Sequence, residues 1–139
     1  ELLNLMTALS ELENIGDTIE TNMVTLGYDR INEGVSISEP TRKVLGDFQK
    51  AVAHATQTAI QAVAQNNAAA AQVVIGMKDD ITKLANSAAV HQAARLVAEE
   101  PNRIPAYTIE IDIIEKQKRI YYFAKRMAKT VMAPEAIEE

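Results

Sequence analysis

The 139-residue sequence has no cysteine and no tryptophan, only five glycines and four prolines, and 4% aromatic residues. Without cysteine there is no disulfide scaffold, no thiolate metal site and no thiol nucleophile. This usage fits a reducing compartment. No apolar run approaches the ~20 residues that a membrane span requires, and no signal-peptide pattern is visible. Glycine-rich phosphate loops are missing, as are motifs of the GxSxG or HExxH type. No serine or threonine stands beside an evident base, so the expectation is a protein without catalytic activity. A basic excess is also lacking. The net charge of −5 argues against nucleic acid, where Lys and Arg must displace counterions. A first residue of Glu rather than Met points to a processed product or a piece of a longer chain.

What is present is ordinary globular composition, with 47% hydrophobic and 24% charged residues. At this length a single domain with a useful core is expected. Alanine is abundant, at 22 residues, which favours helices packed closely through small side chains.

Four helices are predicted. In residues 1 to 33, Leu2, Leu5, Met6, Leu9, Leu12, Ile15, Ile19, Met23 and Leu26 recur at three- and four-residue steps and form one apolar stripe. Gly16 lies within it, at a cost of roughly 1 kcal/mol in helix propensity, and close approach by a neighbouring helix is its expected use. Gly34 marks the end. Ser38-Glu39-Pro40 starts a long second helix to about residue 75. Its stripe is Val44, Leu45, Phe48, Val52, Ala55, Ala59, Ala62 and Val63. Asn66-Asn67 bends or splits it. Ten of the 21 residues from Ala51 to Ala71 are alanine, which suits a close-packed seam.

After Gly76, Asp79 and Asp80 open a third helix to about residue 100, where their charge complements the helix dipole. Ile81, Leu84, Ala88, Ala94 and Leu96 are its inward candidates. Pro101 and Pro105 bracket a turn. A fourth helix then runs from about 105 to 133 on a stripe of Ile109, Ile113, Ile120, Ala124, Met127 and Val131. No segment alternates with period two, so no sheet is expected. The predicted architecture is an all-α, elongated antiparallel bundle.

Charge is unevenly placed. The first 39 residues carry eight acids and one base, Arg30, whereas residues 116–129 carry six bases and no acid. Lys118, Lys125 and Lys129 share a helical face, flanked by Arg119 and Arg126. Such a face is either solvated or docks an acidic partner or lipid headgroups. Lys116 lies beside the apolar stripe and must snorkel or pair. Its expected partners are the acids of the first helix. Glu13, Asp17 and Glu20, at i, i+4 and i+7, put three carboxylates on one face, a donor set suited to a hard cation or simply to solvent. His54 and His91 have no second histidine at ligand spacing and are expected to be surface or hydrogen-bonded residues.

The segment Glu11-Leu12-Glu13-Asn14-Ile15-Gly16-Asp17-Thr18-Ile19-Glu20-Thr21-Asn22-Met23 resembles the signature helix of the PhoU family of phosphate-uptake regulators, which reads roughly D-L-E-R-I-G-D-H-A-x-N-I-A. Glu13, Ile15, Gly16, Asp17 and Asn22 match, and Asn14 replaces the usual Arg. The remaining chain is similar to one three-helix repeat of that family, with Asp79-Asp80-Ile81, Pro105 and Arg119-Ile120 in the corresponding order. The resemblance implies that residues 1–34 are the last helix of a preceding repeat, that 38–133 form one repeat, and that 134–139 are a tail.

PhoU-like domains also occur as cytoplasmic extensions of bacterial sodium-dependent phosphate cotransporters. The resemblance therefore implies a regulatory domain at the cytoplasmic face of the inner membrane. Its partner would be the membrane transporter domain of the same parent chain or a phosphate transporter, docked on Lys118, Arg119, Lys125, Arg126 and Lys129. The family's E-x-x-x-D motifs are associated with multinuclear metal sites, which implies a divalent or ferric metal ion at Glu13 and Asp17. The second copy of the motif is lost, because Lys118 and Tyr122 occupy its carboxylate positions. Two other expectations stand beside this one: a free-standing phosphate-uptake regulator with bound metal, and a helical oligomerisation module that buries its Ala-rich seam between chains, a possible homo-oligomer.

Overall fold

The computed structural model describes residues 1–132. The fourth helix, expected to run to 133, ends at Lys129, where Thr130 closes it with bonds to the Met127 carbonyl; the tail 134–139 lies outside the described residues. Every regular element among the described residues is helical. The first predicted helix is one continuous rod made of α1 (Leu2–Asp17), a π-helical segment (Thr18–Met23) and α2 (Val24–Asn32). The π segment changes the rotation per residue along the rod. Beyond it Leu26 is buried, while Ile19 within it and Val24 just after it face outward.

The rod ends in a Schellman turn. Gly34 takes φ +62°, the Gly34 N–H donates to the Ile31 carbonyl at 3.1 Å, and the Val35 N–H donates to the Arg30 carbonyl at 3.0 Å. These bonds satisfy carbonyls that the helix end would otherwise leave unpaired. Val35 is buried, anchoring the connection to the helix that follows.

Ser38 caps α3 (Glu39–Gln65), its side chain accepting from the Thr41 N–H, with Pro40 in the first turn. The long second helix is split. Asn66 adopts the left-handed conformation, which Asn tolerates better than most residues, and a second Schellman turn closes α3 through bonds to the Val63 and Ala62 carbonyls. Asn67 then caps α4 (Ala68–Gly76), accepting from the Ala70 N–H at 3.1 Å. Only Met77 separates α4 from α5 (Lys78–Leu96). Helix α5 stops short of residue 100, and α6 (Arg103–Lys129) starts two residues ahead of Pro105. Pro105 thus falls in the first turn, where its missing N–H leaves no bond unmade.

The core is built from small and branched residues of α3 to α6. Ala55, Ala59 and Ala62 of α3, Ala71 of α4, Ala88 of α5, and Ala124 and Ala128 of α6 are all fully buried, with Phe48, Val74, Ile114 and Met127 as the larger fillers. The Ala-rich seam is therefore used inside this chain. Helix α6 is central, with α3, α4 and α5 on one side and α1 along the other. Helices α1 and α3 scarcely touch each other.

Three packing expectations need correction. On α5 the inward residues are Ile81, Ala85, Ala88 and Gln92, while Ala94 and Leu96 are exposed. On α1, Ala8, Glu11 and Ile15 turn inward, and most of the apolar stripe faces out, with Leu2 72%, Met6 59% and Leu9 56% exposed. Gly16 meets no neighbouring helix, since a Cβ built on it would have nothing within 4 Å. Once the stripe points outward, Gly16 points outward with it.

Candidate functional site

The acidic face of the first rod is a surface feature. Glu13, Asp17 and Glu20 are all exposed. Among the described residues, no group of three or more His, Cys, Asp or Glu side chains is placed to hold a metal ion. Glu13 and Asp17 stand one turn apart, but two monodentate carboxylates leave most of a hard cation's 6–8 oxygen positions unfilled. The described residues do not by themselves fit a closed metal site.

The basic face of α6 is divided by its surroundings. Arg126 leaves it to bridge α6 and α1: its Nε lies 2.9 Å from Oε1 of Glu11, whose side chain is almost fully buried. The same guanidinium sits over the Tyr122 ring, 5.6 Å from its centroid, within cation–π range. The Glu11 carboxylate also accepts weakly from Asn14 Nδ2 at 3.4 Å. Lys116 was the expected cross-helix cation, yet it forms no ion pair among the described residues. It lines a shallow surface hollow with Lys118, Arg119 and Tyr122. The acid that turns inward is Glu11, and the cation that reaches it is ten residues further along α6.

Lys125 and Lys129 are half-buried. Burial depresses the Lys125 pKa, and the charges of Lys129 and of Lys78 on α5 push it the same way. These lysines crowd the α5–α6 seam. Lys118 and Arg119 are the exposed residues of the set that no buried partner holds, with Lys118 half exposed and paired to Glu115 at 3.2 Å. Any docking through this face would therefore centre on Lys118 and Arg119.

The opposite end of the bundle holds a polar cluster that the sequence pattern did not bring out. Arg103 Nη2 donates to Glu110 on the same helix, both side chains being nearly fully buried. Glu100 stands 3.8 Å from Arg103 and accepts from Arg95 at 2.9 and 3.0 Å. Gln92 of α5 is fully buried, with neither amide atom hydrogen-bonded. Thr41 Oγ1 and His91 Nε2 lie 3.1 Å apart, tying the start of α3 to α5. The network ties the α5–α6 turn to the helices on either side. Its one sequence signal is spacing: Arg103, Glu110 and Gln117 follow each other at seven-residue steps on one side of α6, and all three are buried. His54, by contrast, is exposed.

Tyr121 completes the functional inventory. Its hydroxyl donates to the Val74 carbonyl at 2.8 Å, joining α6 to α4. Burial, with a smaller contribution from the Asp79 carboxylate, pushes the phenol up to about 12. Asp79 and Asp80 lie in the first turn of α5 without a side-chain capping bond, and no described helix is long and apolar enough to cross a membrane. Compared with protein families, curated proteins and solved structures, the chain matches none.

Proposed function

We propose that this chain is a non-catalytic, PhoU-like regulatory domain of a sodium-dependent phosphate cotransporter-like membrane protein, working at the cytoplasmic face of the inner membrane. The observation that carries it is the arrangement of the residues matching the family helix. Glu13 and Asp17 stand on the exposed side of a helical rod that packs on one helical unit, α3 to α6. Asp79-Asp80-Ile81 opens α5, and Pro105 lies in the first turn of α6. The domain acts by docking on the transporter module and biasing its transport states. Lys118 and Arg119 supply the contact, with Lys125 and Lys129 adding charge behind them.

The test is phosphate uptake by the full-length parent protein carrying Lys118→Glu and Arg119→Glu. Both residues are exposed, so the fold should be unchanged by circular dichroism while the uptake rate shifts. Arg126 is unsuitable for charge reversal, because its loss would unpair the buried Glu11. Unchanged uptake would remove the docking face. A parent gene with no apolar spans of about 20 residues would remove the transporter itself and leave a free-standing phosphate-uptake regulator. In that second reading, favoured by the two exposed carboxylates one turn apart, further metal ligands come from another chain or segment.

A further inference from the structure

Three lysines meet where α6 passes the junction of α4 and α5. Lys125 and Lys129 stand one turn apart on α6, a spacing at which side chains are neighbours on the helix surface. Tyr121, one turn before Lys125, bonds the Val74 carbonyl at 2.8 Å. That bond sets this stretch of α6 beside the junction, and Lys78 opens α5 just beyond it. Lys125 and Lys129 are half-buried and Lys78 is exposed. Among the described residues none of the three is in an ion pair. Asp79 and Asp80, next to Lys78, pair with none of them, and Arg126 is held by Glu11. Lys125 Nζ forms no hydrogen bond among the described residues, and it reaches solvent.

An ammonium group must lose a proton before its nitrogen can attack. Water and carboxylates hold that proton, whereas apolar walls and neighbouring cations release it. Lys43 on α3 is the opposite case. It is exposed, with Nζ 2.8 Å from Asp47 Oδ2, and the hydrogen bond and charge of Asp47 hold its pKa above the ordinary lysine value. At Lys125 burial acts first and the charges of Lys129 and Lys78 add to it, so its pKa lies below that value. Desolvation beside a second cation is one way a lysine amine becomes a nucleophile. Half-burial restricts the approach to a compact electrophile, and three cations attract an anionic one. An acyl phosphate meets both conditions: it is small, its carbonyl is activated, and it carries negative charge.

We infer that Lys125 is a site of covalent acylation, with a small acyl phosphate as the donor. The neutral Nζ attacks the acyl carbon. An N–C bond forms, the C–O bond to the phosphate breaks, and the phosphate leaves with that electron pair, while the amine proton passes to solvent. Lys78 and Lys129 attract the donor and stabilise the departing phosphate. The product is a neutral amide, so the cluster loses its central charge and the α5–α6 seam loses a like-charge contact. The inference does not depend on the phosphate-transport reading.

The 139-residue chain is incubated with acetyl phosphate near neutral pH, and the initial acetylation rate of each lysine is read by peptide mass spectrometry. Lys125 should be modified at least about threefold faster than Lys43 and Lys50, although both of those are more exposed. Exposure alone would give the reverse order. Lys78→Gln and Lys129→Gln each remove one neighbouring charge at a position outside the core, so circular dichroism should show an unchanged fold. Each should slow acetylation of Lys125 by at least about twofold and leave the rate at Lys43 as it was. The inference is overturned if Lys125 reacts no faster than Lys43 and Lys50, or if both substitutions leave its rate unchanged.

Discussion

Helices α1 and α6 carry apolar stripes of similar spacing and meet opposite fates. Helix α6 is embraced on both sides and buries eleven residues, including Arg103, Glu110 and Gln117. Helix α1 buries three, Ala8, Glu11 and Ile15, and turns its leucines to the surface. The cause lies in what α1 is offered. The part of α6 that it meets carries Arg126, which draws Glu11 inward, and the small Ala8 lets the two helices approach. A stripe records that a helix has apolar area to bury. It does not record where the partner surface lies, and here a single ion pair and a small residue decide which face docks.

The sharpest way to test that contrast is to remove large side chains on both sides of it. Phe48→Ala empties a fully buried site and should cost about 3–5 kcal/mol in urea unfolding, whereas Leu9→Ala should stay within about 0.5 kcal/mol. Equal losses would show that the stripe of α1 is buried in solution.

The two acid–base pairs extend the comparison. Glu110→Ala leaves Arg103 charged and buried and should cost about 3–5 kcal/mol. Glu11→Ala should cost less, about 1 kcal/mol, because Arg126 is half exposed and can turn to water. Thermal denaturation of both variants ranks them, and the reverse order would make the α1–α6 bridge the stronger tie.

Tyr121 gives a smaller effect with a pH signature. Its phenol has a folded pKa of about 12 against an ordinary 10, so the fold favours the protonated form. That contribution is fully present below pH 10 and is lost as pH rises from 10 through about 12. Tyr121→Phe should lose about 1 kcal/mol at neutral pH by removing the bond to the Val74 carbonyl, and should flatten the alkaline fall in stability. A variant as steep as the parent between pH 10 and 12 would assign that fall to other groups. The smallest expected change is Leu9→Ser, near zero in stability because Leu9 is exposed; a fall in the urea midpoint as large as that of Phe48→Ala would show that the residue is buried.

Much of the helical frame was legible from local chemistry. Ser38 with Pro40 marks the start of α3, Gly34 ends the first rod, and Asn66-Asn67 breaks the second predicted helix, because each acts through its own backbone conformation or a bond a few residues away. The candidate site was less legible. Lys116 looked like the cross-helix cation, yet Arg126 takes that place. Lys125 looked like part of one basic face, yet it is half-buried beside Lys129 and Lys78. Glu110 sits between aliphatic residues and Gln117 between Lys116 and Lys118, and nothing in those neighbours shows that both are buried. In each case the deciding partner comes from the surrounding packing or stands several turns away along the helix.

By itself the sequence determined an all-helical chain, its capping turns, its Ala-rich seam and the unequal placement of acids and bases. Those follow from short-range propensity, backbone geometry and composition. Only the tertiary structure decided that α6 is central, that α1 docks through Ala8, Glu11 and Ile15, and that α1 and α3 scarcely touch each other. Those outcomes depend on which surfaces compete for one another, and that competition is settled between helices far apart in the chain.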